Sequence, residues 1–205
     1  MGFAERKERE RVELRQHILD AARELFIQQG YEGVSMRKIA DKIEYSPATI
    51  YTYFEDKDDI LDCLCEETFF QLYERQRAVH DALRGDALEH LKKGIETYIR
   101  FGLEHPDHYF VTFLLKAPAP ENCADGESRR VKAGKRCFDG LSDCVRHCME
   151  EGKTKNADLE ETSQAIWAGA HGVTALLITQ TCFPFVDRER LIQRMVEILV
   201  SGVNT

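Results

Sequence analysis

Between residues 35 and 57 the chain collects side chains suited to gripping a polyanion and touching base edges. Tyr45, Ser46, Thr49, Tyr51 and Tyr53 carry hydroxyls, Lys57 carries an ammonium group, and Pro47 and Ala48 offer small apolar surfaces. Hydroxyls and ammonium groups donate to phosphate oxygens, whereas threonine and small apolar side chains suit base edges and the thymine methyl. Upstream, Ser35 stands where it can cap a helix whose free N-terminal amides donate to a phosphate, and Arg37 and Lys38 follow it. The competing role for each tyrosine is core packing, but Ile50 and Phe54 already serve the inward face of this segment.

A second set is aromatic. Phe69, Tyr73, Tyr98, Phe101, Phe110 and Phe113, with Trp167 and His171, lie in segments that read as the helices around a cavity, and small-molecule sites are mostly apolar with a few polar groups. Trp167 and His171 are four apart and so share a helix face. Their plain alternative is an ordinary place in the core.

A third set is thiols. Cys63-x-Cys65 and Cys144-x-x-His147-Cys148, with Cys137 nearby in sequence, could bind a metal or sense oxidants, but neither has zinc-finger spacing and buried structural thiols are the commoner outcome. Seven cysteines form an odd count, best read as reduced thiols in a cytoplasmic protein. There is no P-loop, no Gly-rich dinucleotide turn, no Gly-x-Ser-x-Gly and no His-Glu-x-x-His, and no histidine follows a glutamate by three. The expectation is a protein that is not an enzyme, with no cofactor and no metal site.

Composition sets the frame for these groups. Of 205 residues 43% are hydrophobic and 31% charged, with 13 glycines and 5 prolines, which excludes collagenous, low-complexity and wholly disordered chains. The formal charge of −8 looks wrong for a DNA binder until it is resolved along the chain: residues 1–54 balance nine basic against nine acidic groups, and the excess acid lies beyond them. Thr162 to Val186 lacks any charge, yet Ser163, Gln164, His171, Thr174, Thr179, Gln180 and Thr181 are too polar for hydrocarbon, so it reads as a buried helix and no membrane partner is expected. The N-terminus lacks the apolar core of a signal peptide.

The elements that position these residues are all helical, since apolar residues recur at helical spacing and no period-2 strand stands out. Leu14, Ile18, Ala21, Ala22 and Leu25 stripe a first helix that stops at Gly30 through a left-handed residue. Ser35 caps a second helix to about Ile43, with Val34 and Ile39 as a hydrophobic staple. Ser46 caps a third, over Ser46–Phe54, with Pro47 at its first position and Tyr45 and Ile50 as its staple. Two short capped helices joined by a tight turn make a helix-turn-helix. Asp56 caps a fourth helix to about His80. Further helices are expected over 87–104, 106–115, 127–151, 158–181 and 188–201, with one long loop over 116–126. The mixed-charge arm before residue 14 reads equally well as a solvated helical extension or as a DNA-tracking arm.

Residues 18–61 resemble the DNA-binding domain of the TetR family of bacterial transcriptional regulators. The resemblance rests on Ala21-Ala22, Leu25-Phe26, Gly30-Tyr31, Ser35 to Ala40, and Ser46-Pro47-Ala48-Thr49-Ile50-Tyr51-Thr52-Tyr53-Phe54 followed by Lys57. Glu44 departs from the pattern, where the family usually has the turn glycine, and a positive φ is disfavoured there. Trp167-Ala-Gly-Ala-His171-Gly172 resembles a Trp, His and Gly pattern of one subfamily.

The resemblance implies an all-α chain with a three-helix reading head over 1–54 and a helical ligand-binding and dimerisation body over 55–205, about nine helices in all. Its partners would be a palindromic double-stranded DNA operator, a small-molecule effector of apolar or aromatic character, and a second copy of the chain held through helices 158–181 and 188–201. In the reading head the second helix of the pair enters the major groove. The DNA-contacting residues would be Ser35, Arg37, Tyr45, Ser46, Pro47, Ala48, Thr49, Tyr51, Tyr53 and Lys57. Lys57, a cation at the positive end of a helix, needs something to favour it there, and a phosphate answers that need. The function expected is a ligand-responsive repressor. The alternatives are a helical small-molecule binding protein that reads no operator, or a thiol- or metal-sensing regulator.

Overall fold

The computed structural model describes residues 2–83, 85–118, 128–154 and 158–203. Helix α1 spans Phe3–Gly33, and its arm is helical and continuous with it, carrying exposed Arg6–Glu10 and Arg11–Glu8 pairs at 3.4 and 3.9 Å. Of the expected stripe Ile18, Ala21, Ala22 and Leu25 are buried and Leu14 is half-buried, and Phe26 is buried beside them. The winding breaks at Gly30, with φ 70 and ψ 171. The positive φ is as expected, but ψ is extended rather than left-handed helical, a region open essentially to glycine alone.

The next elements are short and capped. Helix α2 (Met36–Lys42) begins where the Lys38 amide donates to Ser35 Oγ at 3.3 Å, and α3 (Pro47–Ile50) where the Thr49 amide donates to Ser46 Oγ at 3.2 Å. Regular α geometry was expected as far as Phe54. Instead the chain tightens after Ile50: the Thr52 amide donates to Thr49 O at 3.1 Å and the Tyr53 amide to Ile50 O at 2.9 Å. These are 3₁₀-type bonds, reinforced by the Thr52 hydroxyl, which donates to the same Thr49 carbonyl at 2.7 Å. In the turn between α2 and α3, Glu44 has φ 60.

Helix α4 (Lys57–Ala82) starts from Asp56, whose carboxylate accepts from the Asp59 amide at 2.8 Å. Helix α5 (Ala87–Glu104) is capped by Asp86 and matches its expected bounds. The segment expected as one helix over 106–115 is two: α6 (Pro106–Tyr109), then a π turn over Phe110–Leu114, closed by the Leu115 amide donating to Phe110 O at 2.8 Å. Helices α7 (Arg129–Glu150), α8 (Leu159–Thr179) and α9 (Arg188–Val203) follow within two residues of their expected ends. The expected loop over 116–126 lies outside the described residues beyond Pro118.

By its own contacts the chain divides into two units, Met1–Thr68 with Asp107–Lys132, and Phe69–Pro106 with Ala133–Thr205. In the first, α1 packs on α2 and on the π turn, α2 on α3, and Ile39, Ile50, Phe54, Ile60, Leu64 and Tyr109 are buried. In the second, α5, α8 and α9 pack on one another, and Leu91, Ile99, Val145, Ile166 and Ile192 are buried. Beyond Glu161, α8 carries no charge, and its buried hydroxyls are satisfied within the helix: those of Ser163 and Thr174 donate to the carbonyls four residues earlier at 2.7 Å. Among the described residues no helix is long and apolar enough to cross a membrane.

Candidate nucleic-acid interface

The two caps and the buried Ile39 and Ile50 fix which side of α2 and α3 faces outward. On that side Tyr45, Ser46, Pro47, Ala48, Tyr51 and Thr52 are exposed, Thr49 and Tyr53 are half-buried, and Phe54 turns inward. Tyr45 is 46% and Tyr51 56% exposed, large aromatic surfaces to leave in water. The expected staple between Tyr45 and Ile50 therefore has only one buried member, whereas Val34 and Ile39 are both buried. Ser46 Oγ and Thr49 Oγ1 stand 2.9 Å apart in a hydrogen bond at the start of α3. Ser35 and Arg37 are exposed at the start of α2, and Arg37 reaches only a loose pairing with Asp41 at 3.9 Å. Lys38 is turned back, its Nζ donating to Gly33 O at 2.6 Å and Gln29 Oε1 at 2.8 Å.

Lys57 has a local partner that the sequence did not reveal. Its Nζ donates to Tyr31 O at 2.9 Å and lies 3.8 Å above the Tyr31 ring. The Tyr31 hydroxyl donates to Asp58 at 2.7 Å, and burial, then this bond, pushes that hydroxyl's pKa far up. The turn opened by Gly30 thus presents Tyr31 to the first residues of α4. This cation–carbonyl contact offsets the unfavourable helix-end position of the lysine without any phosphate.

Further polar ties were also missed. Glu67 on α4 is paired with Arg15 and Arg23 of α1 at 3.8 and 3.5 Å, and burial raises its carboxyl pKa against the pull of Arg23 and Arg15. Arg15 also donates to Cys63 Sγ at 3.2 Å. On the α7 side, Arg130 pairs with Asp62 at 3.2 Å and Arg129 with Asp59. The one available signal was position: two arginines open α7, where a helix disfavours cations.

The aromatic set divides between the units. In the second, Trp167 Nε1 donates to Tyr98 OH at 3.3 Å, the Trp167 ring lies 6.1 Å from those of His171 and Phe138, and burial lowers the His171 pKa. Phe138 belongs to this cluster and was not foreseen. Phe69 takes the Cys137 thiol on its carbonyl at 3.2 Å and lies against Gly134, Tyr73 sits beneath the Arg136 guanidinium at 4.4 Å, and Phe101 is buried beside His105. Phe110 and Phe113 fall in the first unit, the latter 4.7 Å from Tyr109.

Five of the thiols are disfavoured as thiolates by burial, whereas Cys182 is exposed. Burial pushes Cys65 and Cys148 up to about 11 and Cys137 up to about 12, and it raises Cys63 and Cys144 as well, so little thiolate exists at neutral pH. His147 faces Glu150 and Glu151 at 3.6 and 3.4 Å, and among the described residues no three potential ligands gather to hold a metal.

Comparison with known proteins agrees with this geometry. Residues 18–64 match the family described as bacterial regulatory proteins, tetR family, and residues 91–199 match the Tetracyclin repressor-like C-terminal domain. The HTH-type transcriptional regulator AcrR of Shigella flexneri is 33% identical over 170 residues, covering 80% of this chain and 77% of that one. The solved structure of the transcriptional regulator FadR from Bacillus subtilis, in complex with stearoyl-CoA, superposes with a TM-score of 0.77 at 24% identity, over 92% of this chain and 98% of that one. That of the fatty acid degradation regulator FadR from Bacillus halodurans gives 0.76 at 21%, over 92% and 95%. With the helix-turn-helix geometry in place and both halves of the chain matched, the chain belongs to the TetR family of bacterial, DNA-binding transcriptional regulators.

Proposed function

We propose that residues 1–54 read a palindromic operator, that residues 55–205 bind the effector and a second copy of the chain, and that the effector releases the DNA. The observation that carries this reading is the exposed run Tyr45–Ala48 with Tyr51, on a short capped helix whose Ile50 is buried. Thr49, Pro47 and Ala48 touch base edges. Ser35, Arg37, Tyr45, Ser46, Tyr51, Tyr53 and Lys57 hold phosphates. Apolar surface on the last helices supports the dimer: Leu176 on α8 and Ile198 on α9 are 48% and 49% exposed. A protein that reads DNA works in the bacterial cytoplasm.

The effector is mostly apolar or aromatic and lies against Phe69, Tyr73, Tyr98, Phe101, Trp167 and His171 of the second unit. Fatty acid regulators recur among the structural neighbours, one of them holding stearoyl-CoA, which makes a long acyl chain the first class to test. Release works by population shift, the effector preferring a dimer whose heads are spaced wrongly for major grooves about 34 Å apart.

The deciding experiment is a gel shift with palindromic DNA flanking the coding region, repeated across salt concentrations and with stearoyl-CoA, stearate or free coenzyme A added. Salt-dependent binding supports the reading, and its absence at all salt concentrations overturns it. Thr49→Ala then reduces preference among operator variants with little change in salt slope. Acyl release that leaves Trp167 fluorescence unchanged overturns the pocket.

A further inference from the structure

Three carboxylates of α4, Asp59, Asp62 and Glu66, sit at i, i+3 and i+7 and so share one stripe of the helix. Like charges at this spacing repel, and α4 supplies no basic residue of its own to this stripe. The first turn of α7 holds the opposite misfit, Arg129 and Arg130 with no acidic residue in that turn, at the helix end that disfavours cations. Each arrangement is unfavourable in its own helix.

In the first unit the two misfits meet. Arg130 pairs with Asp62 at 3.2 Å, and both side chains are largely withdrawn from water, with 12% and 17% of their surface exposed. Ser128 Oγ donates to the second Asp62 oxygen at 3.0 Å, and Arg130 donates again to Pro118 O at 3.1 Å. Arg129 reaches Asp59 and, at 4.0 Å, Glu66. The same three turns of α4 carry the contacts to the reading head described above, namely Lys57 and Asp58 to Tyr31 and Glu67 to Arg15 and Arg23.

Resting on the assignment of DNA reading to the head, we propose that Arg130, seconded by Arg129 and Ser128, is a positioning residue for operator recognition. By clamping Asp62 it fixes the register of the first turns of α4 against the start of α7. The register of α4 in turn sets where α1 to α3 stand. A screened surface pair contributes little to such a register, but a pair this far withdrawn from water, with Ser128 and the Pro118 carbonyl as further partners, fixes geometry strongly.

The test uses the full chain with Asp62→Asn, Asp62→Glu, Arg130→Gln and the swap Asp62→Arg with Arg130→Asp. Binding is normalised to the folded fraction from circular dichroism. The expected result is a loss of operator affinity of at least tenfold in Asp62→Asn and Arg130→Gln, non-operator affinity within twofold of the parent, and partial recovery in Asp62→Glu or the swap. A purely structural pair predicts instead that the folded fraction falls while the normalised operator affinity stays within twofold of the parent, or that operator and non-operator affinities fall by the same factor, and either result overturns the proposal.

Hydrogen exchange without DNA gives a separate readout. Amides of 57–68 and 129–132 should exchange faster in Asp62→Asn while those of 18–29 keep their rates, and unchanged rates over 57–68 sink the clamp. If the parent chain shows no operator preference, the functional assignment fails and hydrogen exchange alone judges the clamp.

Discussion

Lys57→Ala separates a scaffold role from a DNA role in one protein. In the free chain the ammonium group holds the Tyr31 carbonyl at 2.9 Å and lies 3.8 Å above the ring. A hydrogen bond from a charged donor contributes about 1.5–3 kcal/mol and an exposed cation–π contact about 0.5–1 kcal/mol, both reduced here because the site is only half-buried. Removing a cation from the positive end of α4 returns about 0.3–1 kcal/mol. The net loss should be about 1–2 kcal/mol, or roughly 3–6 °C in melting temperature for a chain of this size. On DNA, a lysine that leaves Tyr31 for a phosphate contributes about 0.9 to the slope of log K against log salt, so about two per dimer. Melting curves and salt titrations against operator and non-operator DNA measure the two effects independently. An unchanged salt slope with a lowered melting temperature would make Lys57 a scaffold residue only, and loss of affinity for one base sequence alone would refute the phosphate contact.

Glu44→Gly should stabilise the head: it removes a left-handed backbone cost of about 1–2 kcal/mol at φ 60 and adds about 0.5–1 kcal/mol of chain entropy, for a net gain near 0.5–1 kcal/mol. A melting temperature that falls in this variant would show that Glu44 makes contacts outweighing its strain. His171 has a folded-state pKa held below the ordinary 6.5 by burial, so the unfolded chain binds the proton more readily and stability declines as pH falls below about 6.5. Denaturant titrations of the parent and His171→Gln between pH 7.5 and 5 should diverge in that window, and parallel curves count against the burial of the imidazole.

The sequence alone carried the helices and their caps, because those signals are local. Ser35, Ser46 and Asp56 each supply a side-chain oxygen to an amide three residues on, and helical spacing marks the buried stripe from Ile18 to Leu25 whatever lies opposite. The Tyr-x-Tyr-Phe-x-x-Lys run marked the reading head for the same reason. Partner choice across tens of residues is not local, and tertiary structure decided it. Lys57 found a carbonyl 26 residues away on a backbone turn that only Gly30 could make. Arg130 found Asp62 at a distance of 68 residues along the chain, and neither helix announced the match except by carrying charge where its own dipole or its neighbours opposed it. Trp167 likewise gained Phe138 from α7, a contact invisible to any spacing rule. Side chains on different helices meet only through the packing of the helices between them, so periodicity can say which face looks inward but not what waits there.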